Sequence, residues 1–131
     1  MTTREMRTLA FAWRTVEQAE FLLIKIMRLR QECDRLAAKG EAPIWLSDRR
    51  AALIEQEVRA KRILTESASD KAYFEVILDS CPDRQIEQIL RLRYQKQYDW
   101  RAIAQRLGGG NSAESVRKRA CRYLAGLSVR H

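Results

Sequence analysis

Apolar positions recur with helical spacing through the first part of the chain. Between about residues 3 and 39 there is no Gly or Pro, and Ala12, Val16, Ala19, Leu23, Ile26, Arg30, Cys33 and Ala37 follow a 4-3-4-3-4-3-4 step. That is a heptad seam, interrupted once by Arg30. Leu9, Trp13, Phe21, Ile24 and Met27 widen the apolar surface beyond it. A helix with so broad a face is expected to pack on more than one neighbour. Gly40 stops it and Pro43 prevents its continuation.

A second stretch without Gly or Pro runs from about residue 48 to 79. Ser47 is placed to cap it, and Asp48 suits the positive end of a helix. Ile54, Val58, Leu64, Ala68, Ala72 and Val76 are expected to line its packing side, with Ile63, Tyr73 and Ile77 adjacent. Thr65 to Asp70 is weaker in propensity; one long helix is still the favoured reading. Two long helices joined by a short turn predict an antiparallel hairpin.

Shorter elements follow. Ser80 or Cys81 is expected to cap a third helix, with Pro82 at its first position and Asp83 in its first turn. It should run to about Gln95 with Ile86, Ile89, Leu90 and Tyr94 inward. Asp99 is a good N-cap for a short helix from Trp100 to Leu107, and Gly108, Gly109 and Gly110 form a turn. Asn111 stands three residues before Glu114, with Ser112 a competing cap for a last helix reaching about Leu127. The expectation is an all-α chain: a long antiparallel helical hairpin over residues 1–80, for packing or oligomerisation, then a helix-turn-helix domain over residues 81–131.

Charge sharpens this picture. The 131-residue chain has a net charge of +8. The first 80 residues are nearly balanced, with 14 basic and 13 acidic side chains. From residue 81 onward there are 11 basic and only 4 acidic, so nearly all the excess lies in the last third. Such a concentration is the electrostatic footprint of a polyanion-binding domain. A solvated basic surface is the plainer alternative.

Other chemistry is thin. The single histidine is His131, so histidine-dependent nucleophilic or metal chemistry has no scaffold. The three glycines lack the lysine spacing of a phosphate-binding loop. Cys33, Cys81 and Cys121 are far apart and in no metal-ligand spacing, so they read as reduced small hydrophobes. Trp13, Trp45 and Trp100 read as packing residues. The longest apolar run, Phe21 to Met27, already contains Lys25 and is far short of a membrane span. No enzymatic activity, cofactor, metal or membrane partner is expected, and a cytoplasmic location is.

A helix-turn-helix needs a short helix, a tight turn and a second helix with one apolar stripe and one basic face. Ile103, Ala104 and Leu107 supply the inner face of the first. Val116, Ala120, Tyr123, Leu124 and Leu127 supply that of the second, which turns Arg117, Lys118, Cys121 and Arg122 mostly outward and leaves Arg119 at the edge.

The same residues carry a resemblance. The run from Pro82 to Tyr94, followed by Tyr98 to Gly108, resembles sigma-70 region 4, and Ser115 to Ala120 is similar to that domain's recognition helix. More narrowly, Ile-Leu-x-Leu-Arg-Tyr, a Trp and an Ile-Ala pair behind a charged hairpin resemble small phage-encoded transcriptional regulators of the RinA and ArpU type. The match covers residues 77 to 127. The chain departs from the family pattern in its turn, which is about two residues longer between Leu107 and Val116.

The resemblance implies sequence-specific binding of double-stranded DNA by a phage or prophage transcriptional regulator in a bacterial host, with RNA polymerase as a further candidate partner. It assigns base contacts to Arg117, Lys118 and Arg122, with Arg119 at the margin. Arg101 and Arg106 would contact the backbone, and Ser112 or Ser115 could add a phosphate bond. A homodimer or higher oligomer is expected, because the first helix is apolar over more surface than a hairpin buries. Two alternatives stay open: a DNA-packaging protein of the small-terminase kind, and a helical protein-binding module whose basic end meets an acidic protein.

Overall fold

A computed structural model describes residues 1–40 and 43–127. All regular structure among them is helical, and it begins with a long helix pair. α1 spans Thr3–Ala38 and α2 spans Leu46–Asp79. α3 covers Arg84–Leu90 and continues as one π-helical turn, Arg91–Gln95. α4 is Trp100–Leu107 and α5 is Ala113–Ala125. By packing, the chain divides into a hairpin unit, Thr15–Ser69, and a second unit made of Met1–Arg14 and Asp70–His131. The division thus falls inside α1 and α2, whereas the breakers of the sequence suggested residue 80.

In the hairpin unit, the expected seam of α1 is the face that packs. Val16, Ala19, Ile26 and Cys33 are buried, and Arg30 sits among them half-buried. On α2 the expected face is wrong for this unit. Ile54 and Val58 are 49% and 52% exposed. The buried positions are Leu46, Leu53 and Ala60, one heptad apart. Between them lie Arg50 and Glu57, so this seam carries charges at alternate layers and does not stand out as an apolar stripe. Those charges meet α1: Arg30 pairs with Glu57 and Arg50 with Asp34. Higher numbers on one helix meet lower numbers on the other, as an antiparallel pair requires. Lys61 reaches Glu57 from one turn further along at 3.1 Å. The hydrogen bond from Lys61, with Arg30 in support, holds the Glu57 carboxyl below its ordinary range against the opposing effect of burial.

Helix ends follow local chemistry with some corrections. Gly40, at φ +74°, takes the left-handed conformation beyond α1, and its N–H donates to the Ala37 carbonyl at 3.2 Å. Residues 41–42 of the expected turn lie outside the described residues. α2 begins at Leu46, so Ser47 lies inside its first turn and does not cap it; Asp48 occupies that turn as expected. α2 then runs unbroken through Thr65 to Asp70. Trp45 is 54% exposed and is not a packing residue.

The second unit has the larger buried core. It joins Met6, Leu9 and Ala10 of α1 with Phe74, Ile77 and Leu78 of α2 and with the buried faces of α3, α4 and α5. Trp13 packs on Phe74 with ring centroids 5.9 Å apart, and its indole N–H donates to Glu75 at 3.2 Å. The third helix starts later than the sequence suggested. Asp83, not Ser80 or Cys81, is its N-cap, accepting from the N–H groups of Gln85 and Ile86. Pro82 therefore precedes the cap rather than opening the helix. The Ser80 hydroxyl instead donates back to the Val76 carbonyl at 2.6 Å, as part of the end of α2.

Candidate nucleic-acid interface

α4 and α5 are local products of sequence. The Asp99 side chain accepts from the Ala102 N–H at 2.7 Å and starts α4. Ile103 and Ala104 are buried and Leu107 half-buried, as the spacing predicted. The three glycines at 108–110 all take positive φ, 64°, 63° and 78°, a succession that residues with a Cβ rarely adopt. Asn111 does not cap α5; its amide donates to the Gly108 carbonyl at 2.6 Å and closes the turn. Ser112 caps instead, accepting from the Ser115 N–H at 3.1 Å. The turn beyond Leu107 is thus long but well bonded.

Val116, Ala120 and Leu124 have no measurable exposure, and α5 packs through them on α4 and α3. That fixes the roll of α5 about its axis. Lys118 and Arg122 lie on the opposite side and are exposed, with Ser115 beside them. Arg119 is half-buried on one flank. Arg117 and Cys121 lie on the other flank, also half-buried. Tyr123, near the end of α5, is tied to Cys81 in the segment between α2 and α3. Burial, then a side-chain hydrogen bond with Cys81, pushes its phenol up to about 12.

The charges on α5 are only partly open. Arg117 donates to Glu114 at 2.8 Å, and Lys118 lies 3.7 Å from the same carboxylate. The Arg117 hydrogen bond is the main reason the Glu114 carboxyl sits below its ordinary range, and the Arg117 guanidinium is raised in turn. Arg122 has no ion pair among the described residues. On α4, Arg101 is exposed, whereas Arg106 is held against Tyr98, donating to its hydroxyl at 2.8 Å with the guanidinium 4.8 Å above the ring. Ser112 still has its hydroxyl proton to donate after acting as cap acceptor.

Of the residues expected at the interface, Lys118, Arg122 and Ser115 share one exposed face. Arg101 and Arg106 belong to α4, and Arg117 and Arg119 occupy opposite flanks of α5. The structure also brings in arginines that the charge count by halves overlooked. Thr3, Arg7, Ala10 and Arg14 follow a 4-3-4 step on α1 and belong to the same compact unit as α5. Arg14 donates to the Tyr94 carbonyl at 2.8 Å, and the Gln97 amide oxygen, turned toward it, accepts at 2.6 and 3.2 Å. Gln97 is the one non-glycine with positive φ among the described residues, at 61°, and Arg14 pins the bend it makes. The π-turn just before lets Leu92 and Tyr94 both face the core while Arg93 reaches forward over the Trp100 ring, 4.6 Å from its centroid. The heptad-spaced arginines of α1 were the available signal, hidden by the acids elsewhere in the first half.

Comparison with known proteins assigns no family: no family model, no curated protein and no solved structure matches the chain.

Proposed function

We propose that the chain binds duplex DNA, with α4, the glycine turn and α5 working as a helix-turn-helix and α5 entering the major groove. The observation that carries this is the roll of α5. Its apolar stripe is buried, so Lys118 and Arg122 project from the outer face of α5, a helix whose one carboxylate is Glu114 at its start. An arginine there can bond guanine bidentately, and a lysine suits phosphate or base edges. Arg101 and the Ser112 and Ser115 hydroxyls supply donors to the backbone at the two helix starts.

The sigma-region-4 resemblance narrows the role to a transcriptional regulator of phage or prophage origin, acting in the bacterial cytoplasm. Among the described residues no helix is long and apolar enough to cross a membrane. The exposed apolar side chains of the hairpin unit, Phe21, Ile24, Met27, Ile54 and Val58, support self-association. A dimer by mass in solution fits a regulator; a ring of many subunits would point to DNA packaging.

The test is selection of a preferred site from random duplexes, followed by titration of that site. Lys118→Ala and Arg122→Ala are each expected to weaken binding by about 1–3 kcal/mol. Unchanged affinity in the double variant would remove α5 from the interface. Binding to random duplexes that does not weaken with salt would count against phosphate contact and favour the acidic-protein alternative.

A further inference from the structure

Two cavities open side by side on the unit that holds α5, of about 290 and 130 Å³. Arg7, Arg93 and Tyr94 line both. Arg14 adds to the larger, and Thr3, Trp100 and Arg117 to the smaller. Among the described residues no carboxylate lines either one. Glu114 pairs with Arg117 at 2.8 Å.

The arginines differ in how they are committed. Arg14 commits its Nη1 to the Tyr94 carbonyl and, with Nε, to the Gln97 amide oxygen. Arg93 gives one N–H to the Tyr98 carbonyl at 3.2 Å and lies over Trp100, which orients its plane and leaves most of its five donors open. Arg7 is exposed and makes no ion pair or hydrogen bond among the described residues. Guanidinium groups that converge without a carboxylate repel each other unless an anion joins them. A planar fork with several open donors matches phosphate oxygens. Arg117 belongs to this cleft and to α5 at once, so an anion seated here lies beside the exposed Lys118 and Arg122.

We infer that the cleft formed by Arg7, Arg93 and Arg117 seats a backbone phosphate of the bound duplex, so that the footprint on DNA includes the first helix. This rests on the DNA-binding reading and extends it to a residue that neither the helix-turn-helix pattern nor the family resemblance assigns. Arg7 and Arg93 are the ligands, and Arg117 closes the cleft toward α5.

The test uses the full chain and a labelled duplex, titrated over a range of salt concentrations. Arg7 is exposed, so Arg7→Ala leaves the fold intact. It is expected to weaken binding three- to tenfold and to reduce the slope of log affinity against log salt by about one, the release expected for one phosphate. Arg7→Lys should retain the slope. An Arg7→Ala chain with unchanged affinity and slope, beside a Lys118→Ala/Arg122→Ala chain that is weakened, overturns the cleft and keeps the DNA reading. A second arm adds inorganic pyrophosphate and follows the indole N–H resonance of Trp100. A chain that binds no duplex, yet shows a pyrophosphate shift lost in Arg7→Ala, overturns both the DNA reading and the backbone assignment, leaving a site for free phosphate.

Discussion

The hairpin unit and the unit that carries α5 are held together differently. Among the largest side chains buried to below 2% exposure, Ile26 alone belongs to the hairpin; Phe74, Met6, Leu78, Ile89, Leu90, Ile103, Leu124 and Val116 all belong to the other. The hairpin relies on small or medium seam residues interleaved with the pairs Arg30–Glu57 and Arg50–Asp34. It leaves Phe21, Ile24 and Met27 more than half exposed. The other unit buries most of its large apolar groups, Phe11 and Val76 excepted, and presents arginine and lysine. Close packing fixes side-chain direction to within a rotamer, and the DNA contact proposed for α5 needs that. A seam of ion pairs and small residues fixes register between two helices but does not use up their apolar surface.

Core truncation should show the contrast most strongly. Ile103→Ala is expected to destabilise its unit by about 2–5 kcal/mol, because a fully buried side chain leaves a cavity that the packed helices fill poorly. Ile54→Ala, half exposed on the hairpin, should stay within about 0.5 kcal/mol. Denaturant titration of both variants checks this, and equal losses would erase the distinction between the two units.

Loss of a cap should come next. Ser112→Ala removes the acceptor for the Ser115 N–H and should cost about 1 kcal/mol, loosening the start of α5 more than the hairpin. Hydrogen exchange read residue by residue would show it, as faster exchange at residues 113–116. Unchanged protection there would mean that the glycine turn holds α5 without the cap.

The smallest expected effect concerns acid. Glu57 titrates below its ordinary value in the folded chain, so its contribution is present above the unfolded carboxylate range and lost as pH falls through the depressed value. Glu57→Gln should therefore lower hairpin stability slightly near neutrality and change little in acid, which flattens the fall on acidification. The difference is small because Arg30 and Lys61 are substantially solvent-exposed. An acid limb identical in the two chains would show that the seam charges do not couple to folding.

Where the fold was legible, the signal was local. The α1 seam, the Asp99 cap, the glycine turn and the buried stripes of α4 and α5 depend on spacing and on the conformational preferences of a few residues, and each lies where the pattern put it. The α2 seam was not legible, because Arg50 and Glu57 are tolerated inside it only by their partners on α1. Counting apolar residues then favours the outer side of α2, with Ile54 and Val58. The start of α3 was misplaced for a related reason. Ser80, Cys81 and Asp83 can all cap, and the end of α2 takes the Ser80 hydroxyl for itself.

The chain alone determined that it would be helical, where its long helices break, and that α5 would carry a basic face. These follow from periodicity, propensity and capping, which act over a few residues. Only the tertiary structure decided that Arg7 shares two clefts with Arg93, and Arg14 the larger of them, although both lie more than 75 positions before it in the chain. A heptad step shows which side of α1 an arginine occupies, but what that side meets depends on the packing of distant core residues, to which local spacing is blind.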